Sequence, residues 1–257
     1  MIIRVSGSIK RVARGIKRYL YRVLFILRNH RRSALLCVGN GVEVGAMCFP
    51  AKLPKATSIL YADIGTSDEI RRSIEETGYT GYRGEYPNVS IVFPPDRPPL
   101  ESIKNSSLDF VYSSHSLEHS PNPVGALVDY LRVIKKGGIV YTIIPNSRFT
   151  YDRERQVTSP SILIKKFRQN IWNYTLEEYE DVYLNTVDHY LYLGKSKNDA
   201  RIAFESESLS HKGGHHIHVF DEVNTLSIIK FVTNLSGGRL LYFDLEGNSI
   251  IFAIQKI

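Results

Sequence analysis

Short apolar runs alternate with amphipathic segments along the chain up to residue 145. The apolar runs are five to seven residues long, and the amphipathic segments have the three- and four-residue spacing of a helix. Strands are predicted over residues 34–38, 58–64, 88–93, 107–113 and 139–144, and helices over residues 68–77 and 122–134. This alternation predicts a parallel β-sheet whose strands are joined by right-handed helical crossovers.

Residues 146–214 interrupt this alternation. They are polar, aromatic and helix-prone, and we expect them to form an insertion above the sheet. A helix is predicted to follow over residues 221–235. The last two predicted strands, 239–245 and 249–255, are joined by a short glycine-containing link, which is typical of an antiparallel hairpin.

Basic residues are concentrated at the N-terminus. Ten of the 33 Lys and Arg residues precede Glu43, the first acidic residue, and the rest of the chain holds 23 basic against 26 acidic residues. Apolar residues recur at helical spacing in this arm, residues 1–32, so it is predicted to be an amphipathic helix. It either contacts an anionic membrane surface or packs on the domain, residues 33–257, with its charges solvated. Because the domain itself is nearly neutral, nucleic acid is not an expected partner.

Composition excludes several other classes of protein. The two cysteines, Cys37 and Cys48, lie in apolar surroundings and indicate reduced core residues of a cytoplasmic protein, not a disulfide framework. No apolar run reaches the ~18 residues that a transmembrane helix needs, and basic residues interrupt the arm too often for a signal peptide. We therefore expect a cytoplasmic protein, held peripherally at the inner membrane if the arm binds lipid.

A candidate ligand-binding turn follows the first predicted strand. Residues 42–46 read Val-Glu-Val-Gly-Ala, and Asp63 ends the second predicted strand. In a doubly wound sheet a glycine here lets the backbone approach a ligand, and the acid accepts hydrogen bonds from ribose hydroxyls. An ordinary turn is the alternative. Because the chain has no Gly-x-Gly-x-x-Gly pattern at this place, we expect a nucleoside ligand without a diphosphate.

A longer motif covers the fourth predicted strand and the helix after it. Residues 109–119 read DFVYSSHSLEH, and residues 132–138 read RVIKKGG. These segments resemble the D-x-V-x-x-x-H-x-L-E-H and R-V-L-K-P-G-G motifs of class I S-adenosylmethionine-dependent methyltransferases. The resemblance extends over residues 34–257 and implies a Rossmann-like class I methyltransferase fold, a mostly parallel seven-stranded α/β sheet with a C-terminal antiparallel hairpin. It also implies S-adenosylmethionine as the cofactor.

The same resemblance implies roles for individual residues. Residues 43–46 are expected to line the methionine end of the cofactor, Asp63 to hold the ribose, and the loop after the fourth strand to border the site. The expected cofactor-binding residues are Glu43, Val44, Gly45, Ala46, Asp63, Ile64, Asp96, Ser114, His115 and Glu118. Asp96 is included as a substitute, because the acid that often follows the third strand in this family is replaced here by the Phe-Pro-Pro of residues 93–95.

Two further segments resemble a narrower group, the methyltransferases of bacterial surface-polysaccharide gene clusters, which carry F-D-R-x-R-P-x-T and H-x-H-V-[F/W] motifs. Residues 151–158 read YDRERQVT, with glutamine in place of the proline, and residues 215–220 read HHIHVF. Arg153 and Arg155 offer planar forks suited to a carboxylate or phosphate of the acceptor, and His215 is assigned to substrate binding with them. Salt bridges to neighbouring acids are the alternative role for the two arginines.

The histidines of these motifs have three interpretations. If residues 216–218 form a strand, His216 and His218 point to one face and address a substrate hydroxyl together. A general base is preferred, with His218 or His216 first and His115 in reserve, and structural histidines are the second interpretation. A zinc site is the third. It needs further ligands, for which the candidates are His115, His119, His189 and His211, but no spacing requires one, and no metal ligand is assigned.

These observations predict an O-methyltransferase that acts on a sugar hydroxyl of a bacterial surface glycan. An anion beside that hydroxyl suits the two arginines, so the expected acceptor is a terminal acidic sugar, such as a Kdo-like ulosonic acid of a lipopolysaccharide O-antigen or a capsule. A lipid-linked glycan suits a membrane-bound arm. Two alternatives stay open: a non-catalytic binding module with a methyltransferase fold, and a methyltransferase of a small metabolite.

Overall fold

The computed structural model describes residues 35–53, 57–76, 86–94, 96–189, 191–207 and 214–257. The predicted basic arm, residues 1–32, lies outside the described residues, and so does His211. None of the described helices is long and apolar enough to cross a membrane.

In the described part of the chain, seven strands form one sheet in the order β3-β2-β1-β4-β5-β7-β6. The strands are β1 Asn40–Val44, β2 Ser58–Asp63, β3 Val89–Val92, β4 Leu108–Ser114, β5 Ile134–Pro145, β6 Gly238–Glu246 and β7 Ser249–Lys256. Strands β1 to β5 run parallel, whereas β7 is antiparallel to both β5 and β6. The predicted fold class, a mostly parallel sheet with a C-terminal antiparallel hairpin, is confirmed.

Strand β1 is the point at which the strand order reverses. It pairs in parallel with β2 on one side and with β4 on the other. In doubly wound sheets a ligand crevice opens at such a switch point, outside the carboxyl ends of the strands. The turn after β1, the end of β2 and the loop after β4 therefore surround the place where a ligand is expected.

The first strand differs from its prediction. The described part of the apolar run predicted as a strand, residues 35–38, contains no strand, and residues 35–36 are helical. Strand β1 comes a few residues later and is buried almost throughout, with Val42 and Glu43 facing opposite sides of the sheet. A buried glutamate in the middle of the strand interrupts its apolar pattern, which makes the preceding run the stronger signal in the sequence.

The described helices are α1 Ser67–Glu76, α2 Pro123–Val133, α3 Pro160–Arg168, α4 Leu176–Asn185, α5 Lys197–Glu207 and α6 Glu222–Ser236. Helices α1, α2 and α6 confirm the predicted helices to within one residue at each end. The ends of α6 follow from local sequence: Asp221 forms a capping box with Asn224, and Gly237 ends the helix in the left-handed conformation. Strand β5 begins directly after α2, and residues 135–137 of this strand are exposed.

The two faces of the sheet carry separate apolar clusters. The larger cluster joins β1, β4, β5 and β7 to helices α2, α3 and α6. The smaller cluster lies on the opposite face and includes Cys37, Phe110, Tyr112 and Tyr141. Because β4 and α2 are both anchored in the larger cluster, the loop that joins them is held firmly at the edge of the sheet.

Helices α3, α4 and α5 follow one another between β5 and α6, and α4 and α5 form an apolar cluster of their own. The side chain of Arg155 connects this helical layer to the rest of the chain, and its exposed fraction is 0%. Its guanidinium donates to Asp181 Oδ2 and Asp152 Oδ1, each at 2.8 Å, and to the carbonyl oxygens of His216 and Ile217. Arg155 therefore ties α4 to the segment that precedes α6.

Replacing Arg155 by lysine should lower the free energy of unfolding by about 3 kcal/mol or more. A lysine ammonium cannot reproduce the planar set of guanidinium donors, so some of the buried oxygens that accept from Arg155 would be left without a hydrogen bond. Arg153→Lys is the matched control. The Arg153 side chain is 42% exposed and pairs with Asp188, and such exposed pairs contribute at most about 1 kcal/mol. Urea unfolding followed by circular dichroism measures both variants. Equal stabilities would show that the Arg155 network does not hold the helical layer in place.

Candidate active site

The turn after β1 lies against the loop after β4. Gly45 has a φ of +73°, and its N–H donates to the carbonyl oxygen of Ala62 at 2.9 Å. A Cβ added to Gly45 would lie 2.5 Å from Ser116 Oγ. This position therefore requires glycine for two reasons, since the backbone is left-handed and the two loops approach too closely for a side chain.

Asp63 ends β2 beside this turn. Its buried carboxylate accepts hydrogen bonds from the backbone N–H of Ile64 at 2.8 Å and of Met47 at 3.2 Å. Burial raises the pKa of Asp63 above its ordinary value, and the two hydrogen bonds oppose that shift. The contacts hold the carboxylate at the carboxyl edge of the sheet, the place that a ribose-binding acid occupies in this type of fold.

Glu43 lies within β1 and is also buried. Both of its carboxylate oxygens are within hydrogen-bond distance of the Ala51 N–H, at 2.9 and 3.1 Å. Burial, together with a smaller effect of the nearby Asp63, raises the pKa of Glu43 to about 8, and the Ala51 hydrogen bond opposes this shift. Val44 and Ala46, the other two residues expected here, are also buried.

The remaining cofactor-side predictions are placed differently. Ile64 is exposed beside Asp63. Asp96 is exposed and lies 3.8 Å from the guanidinium of Arg97, and Pro95 lies outside the described residues. The proposed contact of Asp96 with an adenine ring stays a prediction.

The loop after β4 carries His115 and Glu118. Ser114 is the last residue of β4, and the next residue, His115, has a φ of +50° while its N–H donates to the carbonyl oxygen of Ile143 at 2.8 Å. The short 3-10 helix Leu117–His119 then turns Glu118 inward, so that its exposed fraction is 0%. His115 stays 41% exposed.

Three imidazoles surround the Glu118 carboxylate. Oε1 of Glu118 lies 3.5 Å from His115 Nδ1, 3.8 Å from His119 Nε2 and 3.7 Å from His216 Nε2. Both oxygens are buried, and no described residue makes an ordinary hydrogen bond to either of them. Burial favours the neutral acid, but the contact with His115, together with the positive charge of His119 and His216 whenever those rings are protonated, holds the pKa of Glu118 below its ordinary value.

The orientation of two of these rings is fixed from outside the cluster. His216 Nδ1 donates to Asp152 Oδ2, and His119 Nδ1 donates to the carbonyl oxygen of His215, both at 2.7 Å. The two rings meet edge to face, with centroids 4.9 Å apart. Close packing lowers the pKa of His119 below its ordinary value. With their protons on Nδ1, both rings present the Nε2 lone pair to Glu118.

His216 and His218 do not share the face of a strand, because residues 214–220 form an irregular segment. His216 faces Glu118, whereas the buried His218 approaches the carbonyl oxygen of Pro121 with Nε2, at 3.3 Å. Burial lowers the pKa of His218 to about 3, so its imidazole is neutral. These contacts place His218 in the interior and leave His115 as the most exposed of the three histidines predicted to be catalytic.

The residues predicted to bind substrate lie in different environments. The donors of Arg155 all point to Asp152, Asp181 and backbone oxygens, which favours a structural role. Arg153 is partly exposed and pairs with Asp188. The two ring nitrogens of His215 already face the Tyr192 hydroxyl and a Glu207 oxygen.

Asp152 was not among the expected site residues, although it directly orients His216. The sequence contains one indication of its role, the Asp-x-x-Arg spacing of residues 152–155. In the structure these two residues form an ion pair, with Asp152 Oδ1 2.8 Å from Arg155 Nη1. His119 was only one of four interchangeable ligand candidates. Its position next to Glu118 indicates a shared site only once the 3-10 turn is known.

A family match adds to this geometry. Residues 96–142 match the model described as a methyltransferase domain, a stretch that contains β4, the loop after it, α2 and part of β5. No curated protein sequence matches the chain.

Solved structures of similar fold come from distant proteins. A SAM-dependent methyltransferase of Aquifex aeolicus is 10% identical, with 90% of this chain and 89% of that chain covered and a TM-score of 0.45. One from Methanosarcina mazei is 15% identical, with 88% and 96% covered and a TM-score of 0.45. A protein of Rhodobacter sphaeroides, provisionally named a Zn-dependent alcohol dehydrogenase, is 12% identical, with 87% and 85% covered and a TM-score of 0.50. At this identity the likeness is one of fold alone.

The strand order, the turn at the switch point and the matched segment together define the class of the protein. It is a class I S-adenosylmethionine-dependent methyltransferase, and S-adenosylmethionine is its cofactor. The residues present fit that cofactor: Gly45 keeps side-chain atoms out of the turn, and the carboxylate of Asp63 is held at the end of β2.

Gly45→Ala should weaken binding of S-adenosylmethionine at least about tenfold, because the new Cβ must displace the loop at Ser116. Gly194→Ala is the matched control, since Gly194 has nearly the same φ, +74°, and open space around it. Isothermal titration calorimetry measures both variants. Ser116→Gly combined with Gly45→Ala should recover part of the affinity. If the two alanine variants bind equally, the contact between the loops does not shape the cofactor site.

Glu43 should make the cofactor-free protein less stable as pH rises. The pKa of Glu43 is about 8 in the folded protein and about 4.5 when the side chain is solvated. Its contribution to the free energy of unfolding is therefore fully present below pH 4.5 and is lost as pH rises through 8. Urea unfolding at intervals from pH 5 to pH 9 should show this decline, and Glu43→Gln should reduce it. A difference between wild type and variant that does not change with pH would contradict the assignment.

Proposed function

We propose that this methyltransferase methylates a hydroxyl oxygen of a sugar in a bacterial surface glycan, with His115 as the general base. The observation that carries the proposal is the pairing of His115 with Glu118 at the carboxyl end of β4, next to the contact between Gly45 and Ser116. A hydroxyl needs such a base, since it must lose its proton as it becomes the nucleophile.

The geometry of His115 suits this role better than that of the other two candidates. Its Nδ1 faces Glu118, which favours the tautomer with the proton on that nitrogen. Nε2 then keeps its lone pair, with Ser249 Oγ 3.4 Å away. His216 is instead fixed by Asp152, and His218 lies in the interior.

The role of each group in the site follows from these contacts. When bound, S-adenosylmethionine supplies an electrophilic methyl group. The turn at Gly45 and the carboxylate of Asp63 hold it, and the loop after β4 brings His115 to the same edge of the sheet. His115 Nε2 accepts the proton of the acceptor hydroxyl, and Glu118 stabilises the imidazolium that forms. Positioning and exclusion of water supply the rest of the acceleration.

The choice of a sugar rests on the likeness of residues 151–158 and 215–220 to the surface-polysaccharide group. The idea of an acidic terminal sugar, such as a Kdo-like residue of an O-antigen or capsule, now rests on Arg153, because Arg155 is enclosed. An acidic acceptor must displace Asp188 from Arg153. We also propose that the basic arm brings the enzyme to an anionic membrane surface, where lipid-linked glycans are presented; this rests on its charge alone.

The test is a methyl-transfer assay with labelled S-adenosylmethionine and three acceptor sets: acid-terminated glycans, neutral glycans and free small metabolites. We expect transfer to acid-terminated glycans, with His115→Gln lowering kcat by about 10²–10⁴. The Kd for S-adenosylmethionine should change far less. His189→Gln is the control, a histidine whose ring packs against Tyr151 and Tyr192.

Each outcome bears on a different part of the proposal. Transfer to neutral glycans only would exclude the acidic sugar, and transfer to free metabolites only would exclude a glycan. Full activity of His115→Gln on any acceptor would remove His115 from the mechanism.

A further inference from the structure

Three ligand atoms converge on one point at the junction of β4 and the irregular segment before α6. They are Oε1 of Glu118, Nε2 of His119 and Nε2 of His216, and all three lie within 4.8 Å of one another. The distances from Oε1 to the two nitrogens are 3.8 and 3.7 Å. Tetrahedral ligands about 2.0–2.1 Å from a zinc ion are about 3.3 Å apart, so a contraction of about half an ångström brings each nitrogen to that spacing from Oε1.

The Nδ1 protons of His119 and His216 already form hydrogen bonds to oxygens outside this group of three ligand atoms. His119 and His216 each use Nδ1 in a hydrogen bond to an oxygen, so that in the neutral ring Nε2 carries a lone pair. Three electron-rich atoms therefore face one another without a hydrogen between them. At 3.7 to 3.8 Å the atoms are also too far apart for direct hydrogen bonds. A positive ion between them accounts for both the orientation and the spacing.

Glu118 provides an independent reason. Its carboxylate is completely buried, and neither oxygen has an ordinary hydrogen-bond partner among the described residues; His115 Nδ1 comes only to 3.5 Å from Oε1. A buried charge without compensation costs several kcal/mol, and buried carboxylates in proteins are paired or bind metals. The basic side chain of Arg155 does not compensate it, because its donors are occupied by Asp152, Asp181 and backbone oxygens.

We propose that Glu118, His119 and His216 bind one divalent first-row transition-metal ion, zinc in the first place. Two imidazoles and one carboxylate form a ligand set of this class, whereas Mg²⁺ and Ca²⁺ prefer oxygen ligands. Three protein ligands leave a fourth position open. His119 is 31% exposed, so the site is accessible from solvent on that side.

The surroundings of the ligands match those of metal-binding histidines in general. Such histidines donate their other N–H to a carboxylate or a backbone carbonyl, which fixes the ring and raises its basicity. His216 does so to Asp152, and His119 to the carbonyl oxygen of His215. Arg155 in turn holds Asp152 through Nη1. The segment 151–155 thus acts as a support for the metal ligand His216.

The inference does not depend on the proposed acceptor or on the role of His115, because metal binding is measured without either. The protein is dialysed against EDTA, reloaded with Zn²⁺ in the presence of excess Mg²⁺, gel-filtered and analysed by inductively coupled plasma mass spectrometry. We expect one zinc per chain. Competition with a chromogenic chelator should give an affinity that Asp152→Asn weakens about 10–100-fold.

Glu118→Gln should leave the gel-filtered protein nearly free of zinc, whereas His189→Gln should retain it. Circular dichroism reports whether each variant is folded. If Glu118→Gln fails to fold, X-ray absorption of zinc-loaded wild type replaces it: the expected first shell contains two imidazole nitrogens and light atoms, without sulfur. A shell that contains Cys37 or Cys48 sulfur would overturn the assignment.

The proposal is also overturned if the wild-type chain retains no stoichiometric zinc, or if folded Glu118→Gln binds zinc as tightly as wild type. In either case Glu118 would be a positioning residue for His115 only. The proposed function would then be unaffected, since it is judged by transfer of the methyl group.

Discussion

The enclosed carboxylate of Glu118 is the constraint on which the arrangement of the site depends. A carboxylate that is taken out of water must be compensated, and here three imidazoles lie within 3.8 Å of it. His115 and His119 come from the same loop as Glu118, but His216 comes from a segment almost one hundred residues later. The carboxylate therefore joins the sheet to the segment that precedes α6.

Each partner reaches Glu118 through a chain of ordinary packing and hydrogen bonds. Strand β4 and helix α2 are fixed in the larger apolar cluster, and the 3-10 turn between them points Glu118 inward. On the other side, Arg155 holds Asp152, and Asp152 holds the ring of His216. The same loop after β4 also touches the turn at Gly45. The histidine cluster and the cofactor turn thus share one edge of the sheet.

Much of the fold could be predicted because its signals are local. The spacing of apolar residues gives α1, α2 and α6, and the glycine at residue 247 gives the hairpin of β6 and β7. Strand β1 was misplaced because Glu43 interrupts its apolar pattern. Nothing in a single sequence shows that a buried glutamate belongs to the centre of a strand.

The site was harder to predict because its contacts are non-local. Arg155 and Asp181 are 26 residues apart and meet only after folding. From the sequence alone, Arg155 could therefore equally well bind substrate or form a structural ion pair. His216 and His218 have the two-residue spacing of a strand, but the segment is irregular and the two rings face different groups. The direction in which each of these side chains points follows only from the tertiary structure.

The most direct test of the account is a crystal structure of the protein with S-adenosylhomocysteine. If the cofactor turn and the histidine cluster form one site, the ribose hydroxyls contact the carboxylate of Asp63 and the thioether sulfur faces the loop at His115. A nucleoside bound away from Asp63, or a sulfur separated from His115 by the helical layer, would contradict it.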